Sequence, residues 1–122
     1  MIDKYTYRVM WSEEDAEYVG LCAEFSSLSF LDKTADKAFH GIRKLVLEVI
    51  SDMKSHRESI PEPLSSKNFS GKFVVRVPAE LHRELTIEAQ ESHVSLNRYI
   101  SNKLASRHTL LLQQRTKKKA AG

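Results

Sequence analysis

The sequence has 122 residues, 41% apolar and 29% charged, which suits one ordinary domain or two very small ones and excludes a disordered chain. Its net charge of +3 is unevenly spread: residues 1–63 carry eight Lys/Arg against twelve Asp/Glu, net −4, and residues 64–122 carry eleven against four, net +7. No run approaches the roughly 18 apolar residues of a membrane helix, no secretory signal is visible, and a single cysteine rules out an internal disulfide, so a cytoplasmic protein is expected.

Tyr5 to Trp11 alternates in the manner of a strand, with Tyr5, Tyr7, Val9 and Trp11 on one face. A polar, acidic connection, Ser12 to Glu17, leads to a second alternating run, Tyr18 to Phe25. There Val19, Leu21, Ala23 and Phe25 share a face, and the pair reads as an antiparallel hairpin. Leu28 to Leu31 reads as a short third strand. Thr34 then suits a helix N-cap, and Asp36 suits the first turn, where its charge meets the positive end of the helix dipole. Ala38, Phe39, Ile42, Leu45, Val46, Val49, Ile50 and Met53 follow in steps of three and four, drawing one apolar helical stripe. A one-faced sheet and a one-striped helix bury each other. Residues 1–63 are therefore expected to form a small α+β domain of order β-β-β-α, with Ile60 opening a possible fourth strand before Pro61 and Pro63 end the unit.

Residues 64–70 are polar and serine-rich and read as a linker. Gly71 to Pro78 is then one alternating strand: Phe73, Val75 and Val77 on one side, Lys72, Val74 and Arg76 on the other. A helix follows with Leu81, Leu85 and Ala89 at steps of four. The run Glu91-Ser92-His93-Val94 breaks it, and Ser95 caps a second helix carrying Leu96, Tyr99, Ile100 and Leu104. Residues 108–122 read as a basic, mobile tail containing Lys117, Lys118 and Lys119.

A unit of one strand and two short helices, residues 71–107, is not self-sufficient. Its strand lacks a ladder partner and its helices cannot enclose a core. Pairing with a second copy answers both needs. Two strands make an antiparallel ribbon, and four helices close over a core of Phe73, Val75, Val77, Leu81, Leu85, Tyr99 and Ile100 in a two-fold homodimer. Lys72, Val74 and Arg76 then stand on the solvent face of a ribbon, an element that fits the major groove of B-form DNA. Arginine and lysine match the guanine acceptors, and valine packs on a thymine methyl group. Ser95, Leu96 and Asn97 open the second helix, whose first amides suit a backbone phosphate. The plainer reading makes Lys72 and Arg76 solvated strand residues and Ser95 only a cap.

These residues, from Gly71 to Pro78 and on through Leu81, Leu85, Ala89 and Val94 to Ile100, resemble the Arc/MetJ-type ribbon-helix-helix superfamily. Met10 to Val19, Thr34 to Ala38 and Ile60 to Pro63 resemble parts of the N-terminal domain of HicB-type antitoxins. The resemblance spans roughly Tyr5 to Ser106 and departs at Ser26-Ser27-Leu28-Ser29-Phe30, where the family often has a proline-glycine turn. It implies a reduced RNase H-like N-terminal domain that covers a small HicA-like mRNA-cleaving toxin. It also implies a C-terminal dimer that binds the operator of its own operon, with base contacts from Lys72, Val74 and Arg76 and phosphate contacts at Ser95, Leu96 and Asn97. A further contact between N-terminal domains would make a tetramer. A free-standing repressor whose N-terminal domain senses a ligand or oligomerises stays open beside it.

Catalysis is not expected. An RNase H-like site needs carboxylates gathered around metal ions, one of them on the first strand, and Tyr5 to Trp11 contains no Asp or Glu. The five histidines lack zinc-ligand spacing, Cys22 reads as a small buried apolar residue, and no phosphate-binding glycine loop is present. No cofactor or metal is called for.

Overall fold

Residues 1–72 fold around a helix laid on one face of a three-stranded sheet, and residues 73–122 form a separate unit. The structure, a computed structural model, describes residues 2–121, with side chains as far as residue 108. Strands β1 (Tyr7–Ser12), β2 (Glu17–Cys22) and β3 (Ser29–Asp32) pair antiparallel in the order β1-β2-β3, and helix α1 (Ala35–Ser55) follows. The Thr34 hydroxyl accepts a 3.2 Å hydrogen bond from the Lys37 amide, which satisfies one of the amides that a helix start leaves without a partner. Ala38, Ile42, Val46 and Ile50, one every fourth residue, are the buried stripe of α1. They close over Tyr5, Cys22 and Phe25, with the Tyr5 and Phe25 rings edge to face at 5.3 Å. An ion pair between Arg43 and Asp3 ties α1 to the N-terminal 3-10 turn, Ile2–Lys4.

The inward face of β2 differs from the one expected. Tyr7 pairs with Cys22, Val9 with Gly20 and Trp11 with Tyr18, so β2 turns Gly20 and Cys22 toward α1 while Val19 and Leu21 point to the opposite side. Helix proximity explains the choice. A Cβ at Gly20 would lie 2.5 Å from the Ala38 carbonyl oxygen, and one at Gly41 would run into the Phe30 ring. The helix approaches the sheet so closely at these two points that only glycine fits. The strand also ends earlier than the alternation suggested, because Ala23–Phe25 is a 3-10 turn that swings Phe25 into the core.

The possible fourth strand from Ile60 does not form. After α1 the chain reverses at Arg57 (φ 55°), whose amide bonds the Lys54 carbonyl while the Glu58 amide reaches the Met53 carbonyl. Residues 60–64 are then held by side chains. The Tyr5 hydroxyl donates to the Pro61 carbonyl at 2.7 Å, and the Leu64 amide donates to the Glu24 carboxylate at 2.8 Å. Pro61 and Pro63 have no amide to give to a ladder, which is why side chains fix this segment.

The second unit contains α2 (Ala79–Glu91) and α3 (Leu96–Ala121). The turn between them repeats the end of α1. His93 has φ 60°, its amide bonds the Gln90 carbonyl, and the Val94 amide bonds the Ala89 carbonyl. Ser95 caps α3 by accepting from the Arg98 amide at 3.1 Å. Helix α3 continues past position 107, through a stretch of leucine, glutamine, lysine, arginine and alanine with high helix propensity. The side chains of the basic tail, Lys117, Lys118 and Lys119 included, lie outside the described residues.

Candidate nucleic-acid interface

The segment expected to be a ribbon strand, Gly71 to Pro78, is not a strand in the single chain. A ladder requires a second strand, and none of the described residues supplies one. Every residue from 71 to 78 is exposed, on both sides of the expected alternation, including Phe73 at 75%, Val74 at 91% and Val75 at 64%. Four apolar side chains within five residues face solvent just ahead of α2.

The helices behind this segment bury little by themselves. Among the described side chains of the second unit only Ala89 is buried. Leu85, Val94, Leu96, Tyr99 and Ile100 are half-covered, and Leu81, Ile87 and Leu104 are exposed. The seven residues expected in a dimer core thus divide. Leu85, Tyr99 and Ile100 are half-covered, whereas Phe73, Val75, Val77 and Leu81 remain uncovered. Tyr99 is anchored by its hydroxyl, which donates to Glu88 Oε2 at 2.8 Å, and the Lys103 ammonium stands 5.0 Å from its ring centre.

Lys72, Val74 and Arg76 are all exposed, and the structure does not gather them with any other side chain. Ser95, Leu96 and Asn97 do come together at the start of α3, where the first-turn amides have no intrahelical acceptor and the dipole is positive. Lys103 and Arg107 carry no signal in the apolar pattern of α3. With Ser92, Val94, Tyr99, Asn102 and Ser106 they line an open groove of about 590 Å³ beside the α2–α3 turn. Their four-residue spacing on one helix face was the available signal.

The first unit holds one dense polar constellation, around Glu24. Its carboxylate accepts from the Thr6 amide at 2.9 Å, the Thr6 hydroxyl at 3.1 Å and the Leu64 amide at 2.8 Å. Burial alone would raise its pKa, but the hydrogen bonds from Leu64 and Thr6 outweigh burial and hold the carboxyl below its ordinary value. Cys22 behaves oppositely: burial pushes its thiol up, away from the reactive thiolate. Among the described residues there is no group of three or more His, Cys, Asp or Glu side chains able to hold a metal ion, and no helix long and apolar enough to cross a membrane.

Residues 56–104 match a family model described as the HicB family. The match runs from the end of α1 through the linker, the exposed segment and α2 into α3. It covers less than half of the chain, and the sheet lies outside it. Comparison with curated proteins and with solved structures finds no match.

Proposed function

We propose that this chain is a HicB-type antitoxin without enzymatic activity of its own. Two copies pair through Gly71 to Pro78, and the resulting ribbon-helix-helix module binds the operator of its own operon. Its first unit, a reduced RNase H-like domain, covers a small HicA-like toxin. The observation that carries this reading is the exposed, alternating segment 72–77 lying inside the stretch that matches the HicB family.

The chemistry supports each step. Antiparallel pairing of two copies gives the backbone of 72–77 its ladder and removes Phe73, Val75 and Val77 from water. At about 25 cal/mol per Å² of apolar surface, burying each such side chain contributes about 1.5–3 kcal/mol, doubled by symmetry. Lys72, Val74 and Arg76 then share the ribbon's outer face with their symmetry mates, opposite the major-groove edges of the bases. The first amides of α3 at Ser95, Leu96 and Asn97 receive a phosphate on each side. The acidic first unit suits a basic RNA-cleaving partner, a complementarity that raises association rate more than affinity.

The test is co-expression of the tagged chain with its neighbouring gene, followed by operator binding. A small basic protein that co-purifies, and is toxic when expressed alone, is the expected result. DNA binding with no such partner would favour the free-standing repressor, and failure of both would sink the reading.

A further inference from the structure

Trp11 is the only tryptophan in the sequence, and it stands 47% exposed on the α1 side of the edge strand β1. Its exposure comes from position, not from looseness. The ring meets Tyr18 edge to face at 5.1 Å, and its Nε1–H donates to Glu13 Oε2 at 2.6 Å, so the plane and direction of the indole are both fixed. Helix α1 covers little of it. Gly20 lies against Ala38 and Ile42. One strand row is about 7 Å and one helical turn about 5.4 Å, so only the first turn of α1 reaches the row of Trp11, Tyr18 and Asp32. A large ring already held in one orientation loses little entropy when a partner covers it. Tryptophan is also among the residues most enriched as anchors of protein interfaces.

The groups around the ring set the charge of what can cover it. Glu13 touches the indole, and Glu14 and Asp15 follow in the hairpin turn. Asp32 shares the row of Trp11. Asp36 lies three and seven residues before Phe39 and Arg43, which stack with Tyr7 of β1, so it occupies the β1 side of the first helical turn. Among the described residues Glu14 and Asp36 have no ion-pair partner. The neighbouring cations are turned elsewhere. Lys37 lies four residues before Gly41, on the side of α1 that meets Phe30 of β3. Lys33, continuing the register of β3, stands across from Glu17 on the opposite face of the sheet. Lys4, Arg8 and Arg43 belong to the other end of the strands.

We infer that Trp11 is the anchor at which the first unit holds a basic protein. An arginine or lysine side chain of that protein lies on the indole, and Glu13, Glu14 and Asp36 meet its charge. A cation over an indole face is attracted by the ring's quadrupole. Carboxylates beside the ring steer a basic partner toward it. The same carboxylates repel the phosphates of a nucleic acid, which disfavours a stacked base as the occupant. The inference rests on the antitoxin reading for the existence of a basic partner, and adds to it the place where that partner is held.

The experiment uses the full chain grown with fluorotryptophan, which places a single fluorine NMR signal at Trp11. The probe is the unlabelled protein encoded by the neighbouring gene, made by cell-free synthesis. The expected result is a shift of that signal when the probe is added. Trp11→Ala should weaken binding about 30-fold, as loss of an interface anchor does. Glu13→Lys with Glu14→Lys should weaken it roughly tenfold or more, mainly through slower association. Those two positions lie in an exposed turn, and they serve if Trp11→Ala does not fold. Glu48→Lys, at an exposed carboxylate on the β3 side of α1, should leave affinity within about twofold. Binding that leaves the signal and the variants' affinities unmoved overturns this inference and leaves the antitoxin reading standing, whereas no binding at all removes both. A signal that moves with the concentration of the chain alone assigns Trp11 to a second copy and refutes the inference. Loss of binding in Trp11→Ala with indifference to the charge reversals refutes the cationic occupant.

Discussion

Glu24→Gln should cost the first unit about 1–3 kcal/mol at neutral pH, and the cost should vanish in acid. Three donors converge on the carboxylate, from the Thr6 amide, the Thr6 hydroxyl and the Leu64 amide. Hydrogen bonds to a charged group contribute about 1.5–3 kcal/mol against about 0.5–1.5 for neutral ones. Glutamine keeps one acceptor oxygen but turns an amide nitrogen toward donors that need an acceptor. Partial exposure of Glu24 lets water restore some of the loss, which holds the total to the stated range. The pH dependence follows from the lowered carboxyl pKa. A depressed folded pKa means stability that is fully present above the unfolded value of about 4.3 and is lost as pH falls through the folded value below it. Urea unfolding of both proteins from pH 7 to pH 3 should show a constant gap above about pH 5 that closes below about pH 4. A gap unchanged at pH 3 would mean the carboxylate's charge is irrelevant to its hydrogen bonds, and the reasoning would fail.

Four other changes test separate parts of the structure. Gly20→Ala should lower stability by roughly 1–3 kcal/mol, because its methyl group meets the Ala38 carbonyl, and an unchanged melting midpoint would contradict the close helix approach. His93→Gly should raise stability by about 0.5–1 kcal/mol, since glycine adopts the left-handed conformation without strain but loses more entropy on folding. Arg76→Ala should weaken operator binding by about 1–3 kcal/mol in a gel-shift titration while sedimentation still shows a dimer. Val75→Asp should abolish the dimer in sedimentation, because the ribbon would bury an unpaired carboxylate.

Periodicity made the helices legible. The stripe from Ala38 to Ile50 and the caps at Thr34 and Ser95 follow from residue type and spacing alone. The facing of β2 did not, because both of its sides are apolar: Val19 and Leu21 on one, Tyr18, Gly20 and Cys22 on the other. The deciding factor, the distance from Gly20 to α1, is a tertiary quantity with no local trace. The segment after Ile60 is illegible in sequence for a similar reason. Its anchors, Tyr5 and Glu24, come from the far end of the unit. In the candidate interface, Lys72, Val74 and Arg76 were recognisable as one side of an alternation, but a ribbon depends on contacts that no single chain contains. Lys103 and Arg107, which line the groove beside the α2–α3 turn, are charged, so apolar spacing along α3 does not mark them.

Exposure of residues 71–78 also bears on how long the molecule lasts in a cell. Proteases cut extended, uncovered backbone, and here such backbone joins the two units. In the ribbon proposed above the same bonds would become ladder and be protected. The lifetime of the chain would then depend on its concentration, with abundant copies paired and persistent and scarce copies cleaved. One octapeptide would link the amount of this protein to its rate of disappearance, with no dedicated degradation signal.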